Sequence, residues 1–310
     1  MNKNSNKSKT KLTSMGTCAG CPIGLVARTV LNAVDNPIAV TNATGCMEVT
    51  TTIYPNTSWK VPYIHSLFGN AGATVSGMET AYKALLKKGK IKEKKPVKFV
   101  AFGGDGGTYD IGLQALSGAL ERGHDFLYVC YDNGAYMNTG NQRSGATPLG
   151  ASTETTPFGK ESFGKEVPRK DLMTIIAGHH PKYAATANIA FLDDFKAKVK
   201  KAFETPGPSF ILVFSPCPNQ WKHAAFKTIE VGKLATESCL WPLYEIVDGE
   251  YKISYEPKQK VKIEKFLETQ GRFKHIFKRP DKDELIKEIQ EQVDEEWERV
   301  KDLEETRVRV

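Results

Sequence analysis

Apolar and polar positions fall into periodic blocks along the chain, most clearly between Val97 and Gln142. Val97 to Phe102 is apolar and β-prone, which predicts a buried strand running into Gly103-Gly104-Asp105-Gly106-Gly107. Ile111, Ala115, Ala119 and Arg122 then recur at spacings of four or three, with Leu116 and Leu120 widening the face. That pattern predicts an amphipathic helix ended by Gly123. Phe126 to Tyr131 predicts a second strand. Strand, helix and strand in this span make a βαβ unit, whose strands are parallel neighbours.

The same alternation continues on both sides. Helices are expected over Ile23 to Val34, Val75 to Leu86, Asp171 to Gly178 and Leu192 to Glu204, and strands over Tyr183 to Ile189 and Ser209 to Phe214. The fold class is therefore α/β, a mostly parallel sheet with helices on both faces. From about Trp221 the character changes. Leu243 to Ile253 reads as a hairpin around Asp248-Gly249. Asp281 and Glu284 mark the start of a helix whose stripe is Leu285, Ile289, Val293, Trp297 and Val300. This helical appendage packs on its own domain or contacts another subunit. The expected division is a disordered basic tail over 1–14, an α/β domain over 15–225, and an extension over 226–310 with subunit contacts.

Composition narrows the class only a little. The 310 residues are 40% hydrophobic and 25% charged, ordinary for a globular protein. No run of about 18 apolar residues predicts a membrane span. Met1 to Lys11 is polar and basic without an apolar core, so no secretory signal is expected and the location reads as cytoplasmic. The net charge of +7 is modest. The Lys87 to Lys95 run lacks interleaved aromatics and reads as a solvated loop rather than a nucleic-acid surface.

The chemistry gathers at strand ends. Asp105 and Asn133 fall at the carboxyl ends of two parallel strands, the edge where open α/β sheets bind ligands. Glycines there let backbone N–H groups approach a phosphate. A carboxylate, an amide oxygen and a backbone carbonyl suit Mg²⁺ bridging to a diphosphate. G-D-G followed about 30 residues later by Asn is the thiamine diphosphate signature. Cys18 and Cys21 form C-x-x-C, Cys46 follows a second loop, and Cys217 follows the strand ending at Phe214. Four thiolates favour Zn²⁺ or an iron–sulfur cluster. The single, remote third and fourth cysteines fit a cluster better than a compact zinc module. Cys130 and Cys239 read as buried apolar-like residues. The small-residue segment His65 to Ala73 either approaches a ligand closely or packs between helices, and Phe68 and Asn70 in it are candidate cofactor contacts. His65 is a candidate acid–base or a structural histidine. The long polar loop after Asn138 reads as a lid or contact surface.

Together these motifs resemble the β subunit of multi-subunit 2-oxoacid:ferredoxin oxidoreductases of the pyruvate synthase type. The resemblance spans roughly Gly16 to Trp221. It rests on Cys18, Cys21 and Cys46, on Gly104-Asp105-Gly106-Gly107, on Tyr136-Met137-Asn138-Thr139-Gly140, and on Cys217. It implies that Asp105, Asn133 and the Ala135 carbonyl bind Mg²⁺ and that Gly104, Asp105, Gly106 and Gly107 hold thiamine diphosphate. It implies that Asn138 is catalytic, near the thiazolium, and that the four cysteines ligate a 4Fe–4S cluster. The implied reaction is oxidative decarboxylation of a 2-oxoacid, with electrons leaving singly to ferredoxin and the acyl group passing to coenzyme A. A glutamate from another subunit and a small ferredoxin-like subunit complete such enzymes, so this chain alone is expected to be inactive.

Gly69 and Gly134 stand where the pyruvate pattern commonly has an acidic residue, and Asn141 where it has an apolar one. Added polarity and room near the cofactor would suit oxalate, oxidised to CO₂ without coenzyme A. Pyruvate or a short 2-oxoacid is the first reading and oxalate the second. A non-redox thiamine decarboxylase or synthase with zinc on the cysteines, and a scaffold that has lost thiamine binding, are the rival classes.

Overall fold

The computed structural model describes residues 10–306. Their strands are β1 (Ile38–Asn42), β2 (Tyr63–His65), β3 (Lys98–Gly104), β4 (Leu127–Asp132), β5 (Tyr183–Asn188), β6 (Ser209–Phe214), β7 (Leu243–Val247) and β8 (Glu250–Tyr255). These eight form one sheet in the order β2-β1-β3-β4-β6-β5-β7-β8. Pairing is parallel from β2 to β5 and antiparallel across β7 and β8.

The central strands are apolar on both faces because helices cover both. Ala101, Tyr128, Cys130, Phe210 and Leu212 point into one core, under the helices Ala71–Lys87 and Leu113–Glu121. Val100, Phe102, Val129, Tyr131, Ile211 and Val213 point into the other, under Ile23–Asn32 and Leu192–Glu204. Cys130 is thus a core side chain, as expected from its place in a strand.

The βαβ unit forms as predicted, with β3 and β4 parallel and Gly104 opposite Tyr131. Its helix differs at the start. A π-helical turn, Gly106–Asp110, precedes Leu113–Glu121. Such turns often mark functional sites. The expected hairpin also forms, but it joins the main sheet along β5. All five stripe residues of the Lys282–Thr306 helix are buried within this chain. Among the described residues no helix is long and apolar enough to cross a membrane.

The first nine residues of the expected 1–14 tail lie outside the described residues. From Lys11 the chain is packed rather than loose, because it has buried partners. Leu12 is buried and bridges Trp59. Lys11 Nζ donates to the carbonyls of Leu31 (2.8 Å) and Val34 (2.6 Å) at the end of the first helix.

Candidate functional site

Four strands deliver their carboxyl ends to one rim. β3 ends at Gly104 beside Asp105, β4 at Asp132 beside Asn133, β1 leads to Cys46, and β6 leads to Cys217. Parallel pairing puts these four ends at the same edge.

Asp105 is 1% exposed. Its Oδ1 accepts from the Asn133 N–H (3.2 Å) and its Oδ2 from Ser144 Oγ (2.5 Å). The Asn133 amide oxygen stands 2.9 Å from Asp105 Oδ1 and 2.9 Å from the Ala135 carbonyl oxygen. Turned over, that amide would donate to both. Unturned, three oxygens from the sequence-predicted residues face one another with no N–H among them. Burial, and then the nearby Asp132, push the Asp105 carboxyl well above the usual carboxylate range. A cation at this point would relieve both the oxygen contacts and the buried charge.

Asp132 is held differently. Tyr109 OH and Arg169 Nη2 both donate to its Oδ2 at 2.7 Å, and the Gly134 N–H donates to its Oδ1 at 3.0 Å. Trp221 Nε1 donates to the Asn133 carbonyl at 2.7 Å. Ser144, Arg169 and Trp221 were not singled out from sequence. Ser144 lies in the polar loop read as functional, whereas Arg169 and Trp221 carry no sequence signal of their own.

A cavity of about 170 Å³ opens beside these residues. Its wall includes Gly104 to Gly107, Asn133, Ala135, Asn138 and Phe68, and also Cys46. Asn138 is exposed at the lining. Gly106 is required for packing, because a Cβ there would sit 2.5 Å from the Tyr136 ring. Asn70 does not reach the wall. Its Oδ1 accepts from the Leu67 N–H and its Nδ2 donates to Ser66. The small-residue segment does both things expected of it: Phe68 lines the cavity, and Gly72 serves helix packing, since a Cβ there would meet the Ala115 backbone at 2.9 Å. His65 does not line the cavity, but it pairs with the wall residue Thr44 through Oγ1 at 2.8 Å. A larger cavity of about 410 Å³ lies between the C-terminal segment and the core, bounded by Trp241, Phe266, Ile289 and Arg299. It includes none of the glycine-loop residues.

The four cysteines of the motif converge electrostatically. Cys46 is pushed up to about 12 by burial, with Cys217, Cys21 and Cys18 adding to the shift. Cys21 is pushed up to about 11 by burial, with Cys217 and Cys18 adding, against the favourable Ile23 N–H. Cys217 is also raised by burial, opposed by the N–H groups of Gln220 and Asn219. Backbone donors aimed at sulfur favour the thiolate form. Among the described residues no three His, Cys, Asp or Glu side chains are close enough to enclose a single metal ion. Cys239 lies apart, buried beside the larger cavity.

The three departures from the pyruvate pattern have backbone explanations. A Cβ on Gly69 would meet the Ile111 carbonyl at 2.9 Å. Gly134 has φ +74° and Asn141 φ +71°, the left-handed region that glycine and asparagine favour.

Residues 43–213 match the thiamine pyrophosphate enzyme, C-terminal TPP binding domain. Pyruvate synthase subunit PorB of Thermotoga maritima is 53% identical over 93% of this chain and 90% of that one. Ketoisovalerate oxidoreductase subunit VorB of Pyrococcus abyssi is 46% identical over 93% of this chain and 91% of that one. A 2-oxoglutarate:ferredoxin oxidoreductase from Magnetococcus marinus shares the fold, with TM-score 0.57 and 23% identity over 69% of each chain. Since the domain model spans more than half the sequence and these relatives cover over nine-tenths of it, the chain belongs to the thiamine pyrophosphate enzymes, in the β-subunit family of 2-oxoacid:ferredoxin oxidoreductases.

Proposed function

We propose that this chain holds Mg²⁺ and thiamine diphosphate at the rim of β3 and β4 and a 4Fe–4S cluster on Cys18, Cys21, Cys46 and Cys217. It would thereby serve oxidative decarboxylation of pyruvate or another short 2-oxoacid, with ferredoxin as acceptor and coenzyme A as acyl acceptor. The observation that carries the metal reading is the convergence of the Asn133 side-chain amide on Asp105 Oδ1 and the Ala135 carbonyl, an oxygen triplet when the amide oxygen faces inward. Octahedral Mg²⁺ binds oxygen at about 2.0–2.1 Å, so adjacent ligands lie about 2.9 Å apart. Asn133 Oδ1 stands at 2.9 Å from both Asp105 Oδ1 and the Ala135 carbonyl.

Thiamine diphosphate supplies the carbanion-stabilising chemistry when bound, and an iron–sulfur cluster supplies one-electron acceptance. The chain's own residues hold, orient and enclose. Backbone N–H groups of Gly104 to Gly107 would meet the diphosphate, with Gly106 clearing space beside Tyr136. Phe68 meets Tyr136 edge-on at 5.7 Å in the cavity wall. Asn138, exposed at the lining, is positioned to touch cofactor or substrate. Burial disfavours the free thiolates of Cys21 and Cys46, so a cationic cluster would have to supply the charge that stabilises them.

Relatives named as pyruvate synthase and ketoisovalerate oxidoreductase subunits support a 2-oxoacid and a multi-subunit enzyme. Gly69, Gly134 and Asn141 each have a backbone reason to stand where they do, so they need not be read as substrate-determining, and oxalate remains the second reading. In this proposal 15–225 is the cofactor-holding body and 226–310 carries contacts to other subunits. One partner supplies the catalytic glutamate, another is ferredoxin-like, and the complex is cytoplasmic.

The test is anaerobic isolation of the whole complex, metal and thiamine analysis, and viologen reduction with pyruvate, ketoisovalerate and oxalate. We expect iron, sulfide and thiamine in the complex and pyruvate turnover that depends on coenzyme A. Oxalate turnover without coenzyme A, or zinc without iron on this subunit, would overturn the proposal.

A further inference from the structure

Arg272 lies in the C-terminal segment, in the short turn Gly271–Phe273, yet its side chain reaches the rim. It is 6% exposed. Its guanidinium carbon stands 3.6 Å from the centre of the Trp221 ring. Trp221 ends the short helix that follows Cys217, and its N–H donates to the Cys217 carbonyl at 3.0 Å. The Trp221 indole N–H donates to the Asn133 carbonyl. On the other side, a Cβ on Gly134 would sit 3.0 Å from Arg272 Nη1. The guanidinium is therefore lodged between the Cys217–Trp221 turn and the Asn133–Ala135 turn. One turn carries a cluster ligand, and the other carries two of the three metal oxygens.

Nε donates to Gln270 Oε1 at 2.8 Å, which fixes the plane of the group. Among the described residues Arg272 forms no carboxylate ion pair; Asp132, Cys217 and Asp105 act on it through space. A buried cation without a contacting anion is costly. The site thus calls for negative charge beside it. Four thiolates around a 4Fe–4S core give a net anion, and reduction adds one electron to it without a proton. A fixed positive charge nearby favours the reduced form.

Resting on the cluster reading above, we propose that Arg272 is a positioning residue that raises the reduction potential of this cluster. Its charge assists the electron's entry, and its stack on Trp221 keeps the Cys217 turn against the Asn133 turn. Arginine suits the place because its planar group stacks on an aromatic face while retaining charge.

The experiment uses the whole complex, isolated anaerobically, as wild type and with Arg272→Met, Arg272→Gln and Arg272→Lys. Iron per chain is measured first. The cluster signal that is lost in the Cys217→Ala complex is then followed by electron paramagnetic resonance across a redox titration. At fixed poise, the neutral variants should raise the oxidised-to-reduced ratio about tenfold or more, equal to about 59 mV more negative for one electron. Arg272→Lys should stay within about threefold of wild type, or about half that shift. If Arg272→Met fails to assemble, Arg272→Gln, neutral but polar, gives the same reading. Neutral variants with full iron and an unmoved ratio would overturn the role of Arg272 alone. A wild-type subunit with no Cys217-dependent signal would overturn the cluster reading and this inference with it.

Discussion

Around Asp105 and Asn133 the fold supplies contacts before any ligand arrives. Ser144 and the Asn133 N–H meet the Asp105 carboxylate, Trp221 meets the Asn133 carbonyl, and Tyr109 with Arg169 meets Asp132. Around the four cysteines the side-chain contacts hold the loops, and the donors that reach sulfur are backbone N–H groups, Ile23 on Cys21 and Gln220 and Asn219 on Cys217. Cys21 N–H donates to the Cys18 carbonyl at 3.1 Å, and Thr228 Oγ1 donates to the Gly20 carbonyl at 2.8 Å. Cys18 is exposed, and burial raises the other three thiols. One half of the rim is preorganised by side-chain hydrogen bonds; under the proposed assignment the other would take its final geometry from what it binds. The difference follows from chemistry. Hard oxygen ligands can be oriented by hydrogen bonds, whereas thiols lose their protons and draw together only when a cationic centre is present.

The largest effect should come from removing one ligand in each half. Asp105→Ala should weaken thiamine diphosphate binding more than about 100-fold, since even outer partners of metal ligands are worth about 10–100-fold. Iron content should stay intact. Cys217→Ala should do the reverse, losing iron while thiamine affinity stays within about threefold. Fluorescence titration of thiamine diphosphate with Mg²⁺, beside an iron assay, reads both variants. Equal loss of thiamine affinity in Cys217→Ala would show that the halves are one cooperative unit and break the comparison.

A smaller effect tests preorganisation itself. Ser144→Ala removes the hydroxyl that donates to Asp105 Oδ2 but leaves every proposed ligand in place. We expect Mg²⁺-dependent thiamine affinity to fall about 10-fold, the lower end for an outer partner. Iron and the melting temperature of the complex should hold. An unchanged affinity would mean that the cation, not the protein, orients Asp105.

This contrast also explains what the sequence made legible. Asp105 and Asn133 stand 28 residues apart because one strand–helix–strand passage separates them, so spacing and glycines together revealed the oxygen site. The cysteines were legible as a set, since clustered thiols outside a disulfide-forming context point to metal. The supports were hidden. Ser144, Arg169 and Trp221 reach their partners across 37 to 88 residues, and Arg272 lies farther still from Gly134 in the chain, separations which no local period encodes. β2 was missed because a three-residue edge strand, Tyr63–His65, shows no alternation. β1 was missed because its last two residues, Thr41 and Asn42, are polar although buried. The hairpin was legible as a hairpin, but its seat on β5 was not, because Tyr183 and Val247 meet only in three dimensions. The polar loop after Asn138 was read as a lid or contact surface. In the structure it walls the site, bringing Ser144 to Asp105 and Thr147 Oγ1 to the Gly134 carbonyl at 2.7 Å.

That wall carries the smallest predicted effect, a pH dependence. Lys165 is buried at 2% exposure, and its Nζ donates to the Thr147 carbonyl and to the Pro168 carbonyl at 3.1 Å. Burial, aided by Arg143 and Arg169, lowers its pKa from 10.5 to about 8. The sign follows from linkage. Below about pH 8 both folded and unfolded chains carry the ammonium, and the folded state bears its full desolvation cost. Between about 8 and 10.5 the folded chain has released a proton that the unfolded chain still holds, so stability rises with pH. Thermal melts of the complex from pH 7 to 10 should therefore show a steeper upward, or less downward, trend in wild type than in Lys165→Met, by at most one proton's worth of slope. The comparison sets the readout: the trend should appear equally in apo protein and in protein depleted of iron, because Lys165 supports the preorganised half alone. Parallel melts for both proteins would show that Lys165 keeps an ordinary pKa, and a trend that vanishes with iron would tie the wall to the cysteine half instead.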